Sequence, residues 1–225
     1  MKKIYVWILI AMAVTAVTAI VFIYFVPWGS AKSEVKKTEV EQTDSLVKSG
    51  SGKMINNLDV VSGSYSSNNT KEKVTSEIFF QVEGMQETIG KFNDFVITFE
   101  GGEKKSVKTI IQSTSLFTDN EYRDEHLMET DFFNVENFPT VEFASSEVIV
   151  GDTSYIAKGE LSFVGKKFPM DVPFTYIGKG KYEDGKEFAA FEGRFDFDRI
   201  KYGMAEDASV GNIAKVWFYA ELVKK

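Results

Sequence analysis

Residues 191–198 read FEGRFDFD. Phe191, Phe195 and Phe197 share alternate positions with Gly193, and Glu192, Arg194, Asp196 and Asp198 fill the positions between. A period of two sends successive side chains to opposite faces of an extended chain. The stretch therefore predicts a β-strand with one dry side and one wet side. The same alternation recurs along the chain. Val216, Phe218, Ala220 and Leu222 oppose Lys215, Trp217, Tyr219 and Glu221. Phe168, Met170, Val172, Phe174 and Tyr176 form a further apolar row. So do Tyr155, Ala157, Gly159, Leu161 and Phe163, then Phe95, Ile97 and Phe99, and the pair Val141 and Phe143. Weaker strands are expected near 60–67, 75–83 and 107–114.

Turn chemistry separates these rows at Gly101-Gly102, Gly151-Asp152, Gly165-Lys166 and Glu183-Asp184-Gly185. Short half-wet strands at close spacing predict an antiparallel sheet. A sheet of about eight strands removes its unpaired edges by closing into a barrel. Such a barrel is just wide enough for its own side chains or one small ligand. The apolar rows are compatible with a filled core and with a cavity lined by flat rings. Gly159, Gly193 and Ala157 on the inward rows would leave room for the second.

Composition narrows the function. The chain has 225 residues, no Cys, one His, four Pro and twenty Phe. Without Cys there is no disulfide framework, thiolate metal site or thiol nucleophile. A single His excludes multi-histidine metal centres, so no metal and no cofactor is expected. The formal net charge of −7 argues against nucleic acid, which needs clustered Lys and Arg.

The N-terminus has its own signal. Ile4 to Val26 is a run without charge, preceded by Lys2 and Lys3. Its length suffices to span hydrocarbon as a helix, and the lysines place its start in the cytoplasm. Residues 1–29 are therefore expected to be a transmembrane anchor, retained rather than cleaved as a signal. A single-pass topology then puts the domain on the extracytoplasmic side. Residues 30–57, rich in Ser, Lys, Glu and Thr, are expected to be a flexible linker. The domain is then 58–225.

Between the 107–114 and 140 strands the period changes. Thr118-Asp119-Asn120-Glu121 has the form of a capping box, so a short helix is expected from about Asn120 to Glu129. Tyr122, His126 and Glu129 would share one face and Leu127 would turn inward. A His beside Asp124 and Glu125 is the minimum for acid–base chemistry. No nucleophile or phosphate loop accompanies it, so no catalytic residue is assigned. Arg123 and His126 are expected to tie the helix to the barrel by charged hydrogen bonds.

Arg123-Asp124-x-His126-Leu127, then Asp131-Phe132-Phe133-Asn134-Val135-Glu136, Pro139 and Phe143-x-Ser145 resemble the signature of YceI-like proteins. Gly159-x-Leu161-x-x-x-Gly165, Pro173, Arg199 to Tyr202-Gly203 and Val210-Gly211-Asn212 follow in the family's order. The resemblance covers about residues 74–225. It implies a lipocalin-like antiparallel barrel, usually exported to the bacterial envelope and periplasm, that holds a polyisoprenoid or similar amphiphile. It favours a cavity over a filled core. The ligand chain is then expected among Phe95, Phe99, Leu161, Phe163, Phe174, Phe191, Phe195 and Phe218. Arg123, Asp124, His126, Leu127, Asp131, Phe132 and Phe133 would form a lid. Two departures from the pattern stand out. A second His that many members carry is absent from Phe80-Gln81-Val82-Glu83-Gly84, and Asn134 replaces the usual Asp. The remaining alternative is a filled barrel acting as an envelope interaction or stress protein, whose protein partner the sequence does not name.

Overall fold

The alternating rows become the staves of a barrel in a computed structural model that describes residues 31–40, 46–70, 73–85 and 87–225. In chain order the elements are β1 (Leu46–Lys48), β2 (Met54–Asn56), β3 (Gly63–Ser66), β4 (Ser76–Gly84), β5 (Thr88–Phe92), β6 (Phe95–Gly101), β7 (Ser106–Gln112) and β8 (Leu116–Phe117). The helix α1 (Glu121–Met128) follows, then β9 (Thr140–Val150), β10 (Tyr155–Phe163), β11 (Lys166–Lys181), β12 (Glu187–Asp198) and β13 (Val210–Lys224).

All pairings are antiparallel, and β13 closes the ring by pairing with β12 on one side and with β3 and β4 on the other. Three staves are built from two segments each. β3 and β4 share β13, β5 and β6 continue one another, and β7 and β8 do the same. Eight staves result. The strand at 88–92 is not visible in the sequence pattern, because Gly90 interrupts its apolar row. That glycine is required: a Cβ there would lie 2.2 Å from the Phe80 ring.

The inward faces pack ring on ring. Phe191 lies 5.2 Å from Phe99, 5.7 Å from Tyr176 and 6.0 Å from Phe174 between ring centres. Each buried ring contributes roughly 1.5–3 kcal/mol relative to exposure. Gly193 and Gly159 do not leave space for a ligand. A Cβ on Gly193 would meet the Phe218 ring at 2.4 Å, and one on Gly159 would meet the Ala144 carbonyl at 2.3 Å. Gly159 sits where the β9–β10 register shifts, so it serves a bulge.

The segment expected to be a flexible linker holds structure where it is described. β1 and β2 pair as a hairpin. Asn56 Nδ2 donates to the Tyr176 and Ile177 carbonyls at 3.2 and 2.7 Å. The Ser49-Gly50-Ser51-Gly52 patch is the hairpin's turn. The backbone N–H groups of Gly50 and Ser51 donate to Gly151 and Asp152. Composition missed this because backbone pairing needs few apolar side chains.

Upstream, residues 31–40 lie across the outer wall. Glu77 on β4 accepts from Ser33 Oγ at 2.6 Å and from the N–H groups of Glu34 and Val35. Glu221 on β13 is 1% exposed and accepts from Thr38 N, Thr38 Oγ1, Tyr182 OH and Tyr219 OH at 2.7–2.9 Å. The alternation predicted a wet outer face at Tyr219 and Glu221; this strap makes it dry. Residues 31–225 form one compact unit. The expected anchor at 1–29 lies outside the described residues. Among the described residues no helix is long and apolar enough to cross a membrane.

Candidate functional site

One end of the barrel is closed and the other is not. At the closed end Leu58, Val61 and Tyr176 are fully buried, with Tyr65 and Tyr155 nearly so. Tyr155 OH accepts from Leu58 N at 2.8 Å and donates to the Asn56 carbonyl at 3.0 Å. One tyrosine hydroxyl thus fastens the segment after β2 across the floor. At the other end lie α1, the Val164-Gly165 turn and the 199–210 loop. Their inward residues Leu127, Phe133, Val164 and Met204 are only partly buried.

Between the two ends runs a cavity of about 220 Å³. Its wall is carbon almost throughout. Of its lining residues only Thr109 and Arg199 carry a polar side-chain group beyond methionine sulfur. Seven of the eight residues expected to meet a ligand line it: Phe99, Leu161, Phe163, Phe174, Phe191, Phe195 and Phe218. Phe95 does not; it is buried in the adjoining core.

The expected lid divides in two. Leu127, Phe132 and Phe133 line the cavity, and Phe133 meets Phe92 and Phe163 edge-on. Arg123, Asp124, His126 and Asp131 do not line it and instead build the corner. Asp124 is buried and accepts from Thr118 N at 2.9 Å and Thr118 Oγ1 at 2.5 Å. Arg123 Nε donates to Thr118 Oγ1 at 2.8 Å and Nη2 to the Thr118 carbonyl at 2.9 Å. With Thr118 engaged this way, the helix is capped by Asn120, whose side chain accepts from Arg123 N at 3.0 Å. The capping-box reading therefore named the wrong residue and nearly the right helix. The Asp131 carbonyl accepts from Ala205 N at 2.9 Å, joining the corner to the 199–210 loop.

His126 is half exposed, with Nδ1 2.9 Å from Glu129 Oε2. It does not tie the helix to the barrel wall; its partner lies in the same corner. Among the described residues no group of three potential metal ligands is present. Asn134 has φ = 49°, a left-handed conformation that Asn tolerates well, so the departure from Asp preserves the turn.

Arg199 is the residue that the strand pattern could not assign to the cavity. It stands in the signature segment after β12. It is 2% exposed. Its guanidinium donates to the carbonyls of Gly211, Ala205, Val210 and Asp207 at 2.8, 2.5, 2.9 and 3.3 Å. It faces the Phe132 ring at 6.0 Å. Burial lowers its pKa from the ordinary value.

Comparison with known proteins agrees with this geometry. Residues 65–222 match the model of the YceI-like domain. A UPF0312 protein of Pseudomonas aeruginosa is 34% identical over 122 residues, which cover 52% of this chain and 64% of that protein. The match thus spans a little under two thirds of this relative's length. Among solved structures, BcnA of Burkholderia cenocepacia aligns with a TM-score of 0.58 at 20% identity, over 67% of this chain and 96% of BcnA. The YCEI protein of Campylobacter jejuni aligns at 0.55 and 22%, over 60% and 84%. A polyisoprenoid binding domain from Saccharophagus degradans aligns at 0.55 and 11%, over 72% and 98%. With the signature at the helical corner, the closed antiparallel barrel and the family match over most of its length, this chain belongs to the YceI-like family.

Proposed function

We propose that this chain is a membrane-anchored, extracytoplasmic carrier that holds a polyisoprenoid or similar long-chain amphiphile in its barrel and catalyses no reaction. The observation that carries the reading is the carbon-walled cavity between a sealed floor and a half-buried mouth. Apolar clefts with few polar groups are the usual form of small-molecule sites. The polyisoprenoid binding domain with the same fold supports the ligand class. The uncharged run Ile4–Val26 behind Lys2 and Lys3 supports the anchor and the periplasmic side.

Two experiments test this. Phe195→Asp places a charge on the cavity wall, where burial of an unpaired carboxylate is strongly unfavourable. The full-length variant, shown folded by circular dichroism, is expected to lose retention of a radiolabelled polyprenol; unchanged retention would sink the assignment. For topology, a protease added outside spheroplasts should digest the barrel domain, and full protection would reverse the orientation.

A second reading has one observation in its favour. The cavity of about 220 Å³ is smaller than the roughly 300–1,000 Å³ of typical ligand sites. A barrel filled by its own rings would act through its acidic outer surface on a protein partner. It predicts no lipid adduct under any loading condition.

A further inference from the structure

A cavity walled by carbon binds a chain but does not orient it. Orientation needs a polar group, and among the described residues Arg199 is the only charged one lining this cavity. Its burial is nearly complete, yet its four side-chain hydrogen bonds all go to backbone carbonyls. Among the described residues no carboxylate lies within ion-pair distance of it. Asp198 Oδ1 accepts from the N–H groups of Ile200 and Lys201. Asp207 Oδ1 accepts from Ser209 N and Oγ. Both carboxylates are engaged with their own turns, and Glu206 is exposed.

A guanidinium has five N–H donors. The four contacts use one on Nε, one on Nη1 and two on Nη2. The second N–H of Nη1 has no acceptor among the described residues. Carbonyl dipoles hold the group in place and fix the 205–211 backbone, but they do not neutralise a full charge. Asp207, Glu206 and Asp198 favour the charge from beyond ion-pair distance, but none of them hydrogen-bonds the guanidinium, and an anionic oxygen that reached the remaining Nη1 N–H would add a charge-assisted hydrogen bond.

We propose that Arg199 is the head-group anchor of the cavity, and that the amphiphile it selects carries an anionic oxygen head, either a phosphate monoester or a carboxylate. The inference rests on the carrier reading and adds to it the chemistry of the head. It also sets direction. Arg199 follows β12 at the mouth, next to Phe132 and Met204, so the head stays at the mouth and the chain runs toward Phe99 and Phe174. Arg199 is a binding residue in this account, with the Phe132 ring 6.0 Å from its guanidinium.

The test uses the full chain held in an amphipathic polymer, so that no detergent competes for the cavity. The protein is equilibrated with equimolar dodecyl phosphate and dodecanol, and native mass spectrometry counts the two adducts. The phosphate adduct is expected to exceed the alcohol adduct by roughly tenfold or more, as for a hydrogen bond to a charged group. Arg199→Lys keeps the charge and part of the preference, and Arg199→Met brings the ratio close to one. Arg199 also staples the 205–211 loop, so Arg199→Met can fail to fold. The wild-type protein then supplies the second readout: the Arg199 Nε–H resonance shifts on adding dodecyl phosphate and not on adding dodecanol. Equal or greater loading by the alcohol in wild type, or a static Arg199 resonance, would overturn the anchor and leave the carrier reading standing. Absence of both adducts would overturn both.

Discussion

At the closed end of the barrel, Leu58, Val61 and Tyr176 have no contact with solvent, and polar atoms reach the backbone through Tyr155 and Asn56. At the mouth, Leu127, Phe133 and Met204 are only partly buried, and the neighbouring turn holds Val164 at φ = 45°. A β-branched residue in the left-handed region is a strained choice. The floor is thus sealed by burial, with Tyr155 and Asn56 hydrogen-bonded to backbone and the Tyr176 hydroxyl buried without a partner among the described residues, while the mouth tolerates incomplete burial and a strained turn. A carrier needs this asymmetry. One end must exclude water permanently, and the other must admit and release a chain.

The contrast can be broken at the floor first. Leu58→Ala removes a fully buried side chain and is expected to cost about 2–5 kcal/mol, read by urea denaturation. Glu221→Ala, toward the same end, removes the acceptor of four hydrogen bonds. We expect a loss of about 3 kcal/mol, with release of residues 33–38 seen as faster amide exchange. A loss as small as for an exposed pair such as Lys37–Glu192 would show that the strap is not held.

Raising the pH probes the same end without mutation. Tyr65, Tyr155 and Tyr176, and Tyr182 and Tyr219 beneath the strap, all have pKa values raised above the ordinary 10.0, in each case chiefly by burial. The unfolded chain releases these protons near pH 10 and the folded chain only above it. Between those values the unfolded state binds fewer protons, so stability falls as pH rises. It should be constant from pH 8 to 9 and decline from pH 10 upward. A flat profile to pH 11.5 would contradict the buried placement of these hydroxyls.

At the mouth the expected order reverses. Leu127→Ala should cost under about 1.5 kcal/mol, because the site is half-buried and can relax, yet it should speed ligand release measurably in stopped-flow exchange. If it costs as much as Leu58→Ala and leaves release unchanged, the two ends are equivalent and the asymmetry fails. The smallest effect is expected at His126→Ala, within about 0.5 kcal/mol and with loading unchanged.

What the sequence carried and what it did not follow from the same physics. Period-two rows of Phe and Val are a strong signal because burial forces the alternation, and they placed β9 to β13; that such rows would line a cavity, as seven of the eight named residues do, was implied by the family resemblance and not by the rows. Leu127, Phe132 and Phe133 came from the family signature and from helical spacing. The strand at 88–92 was hidden because Gly90 gives its inward row no side chain. The hairpin at 46–56 was hidden because backbone hydrogen bonds leave no trace in composition. Arg199 was legible only as part of the family signature, without a role. Its partners are main-chain carbonyls from residues 205–211, and no side-chain pattern records those.

The central claim is that the barrel carries an amphiphile, and native mass spectrometry of the full chain isolated gently from the cells that make it tests it most directly. The account predicts a reproducible adduct that organic solvent releases as a long-chain amphiphile with an anionic oxygen head. An apo mass, unchanged after incubation with polyprenyl and fatty-acyl lipids, would contradict it.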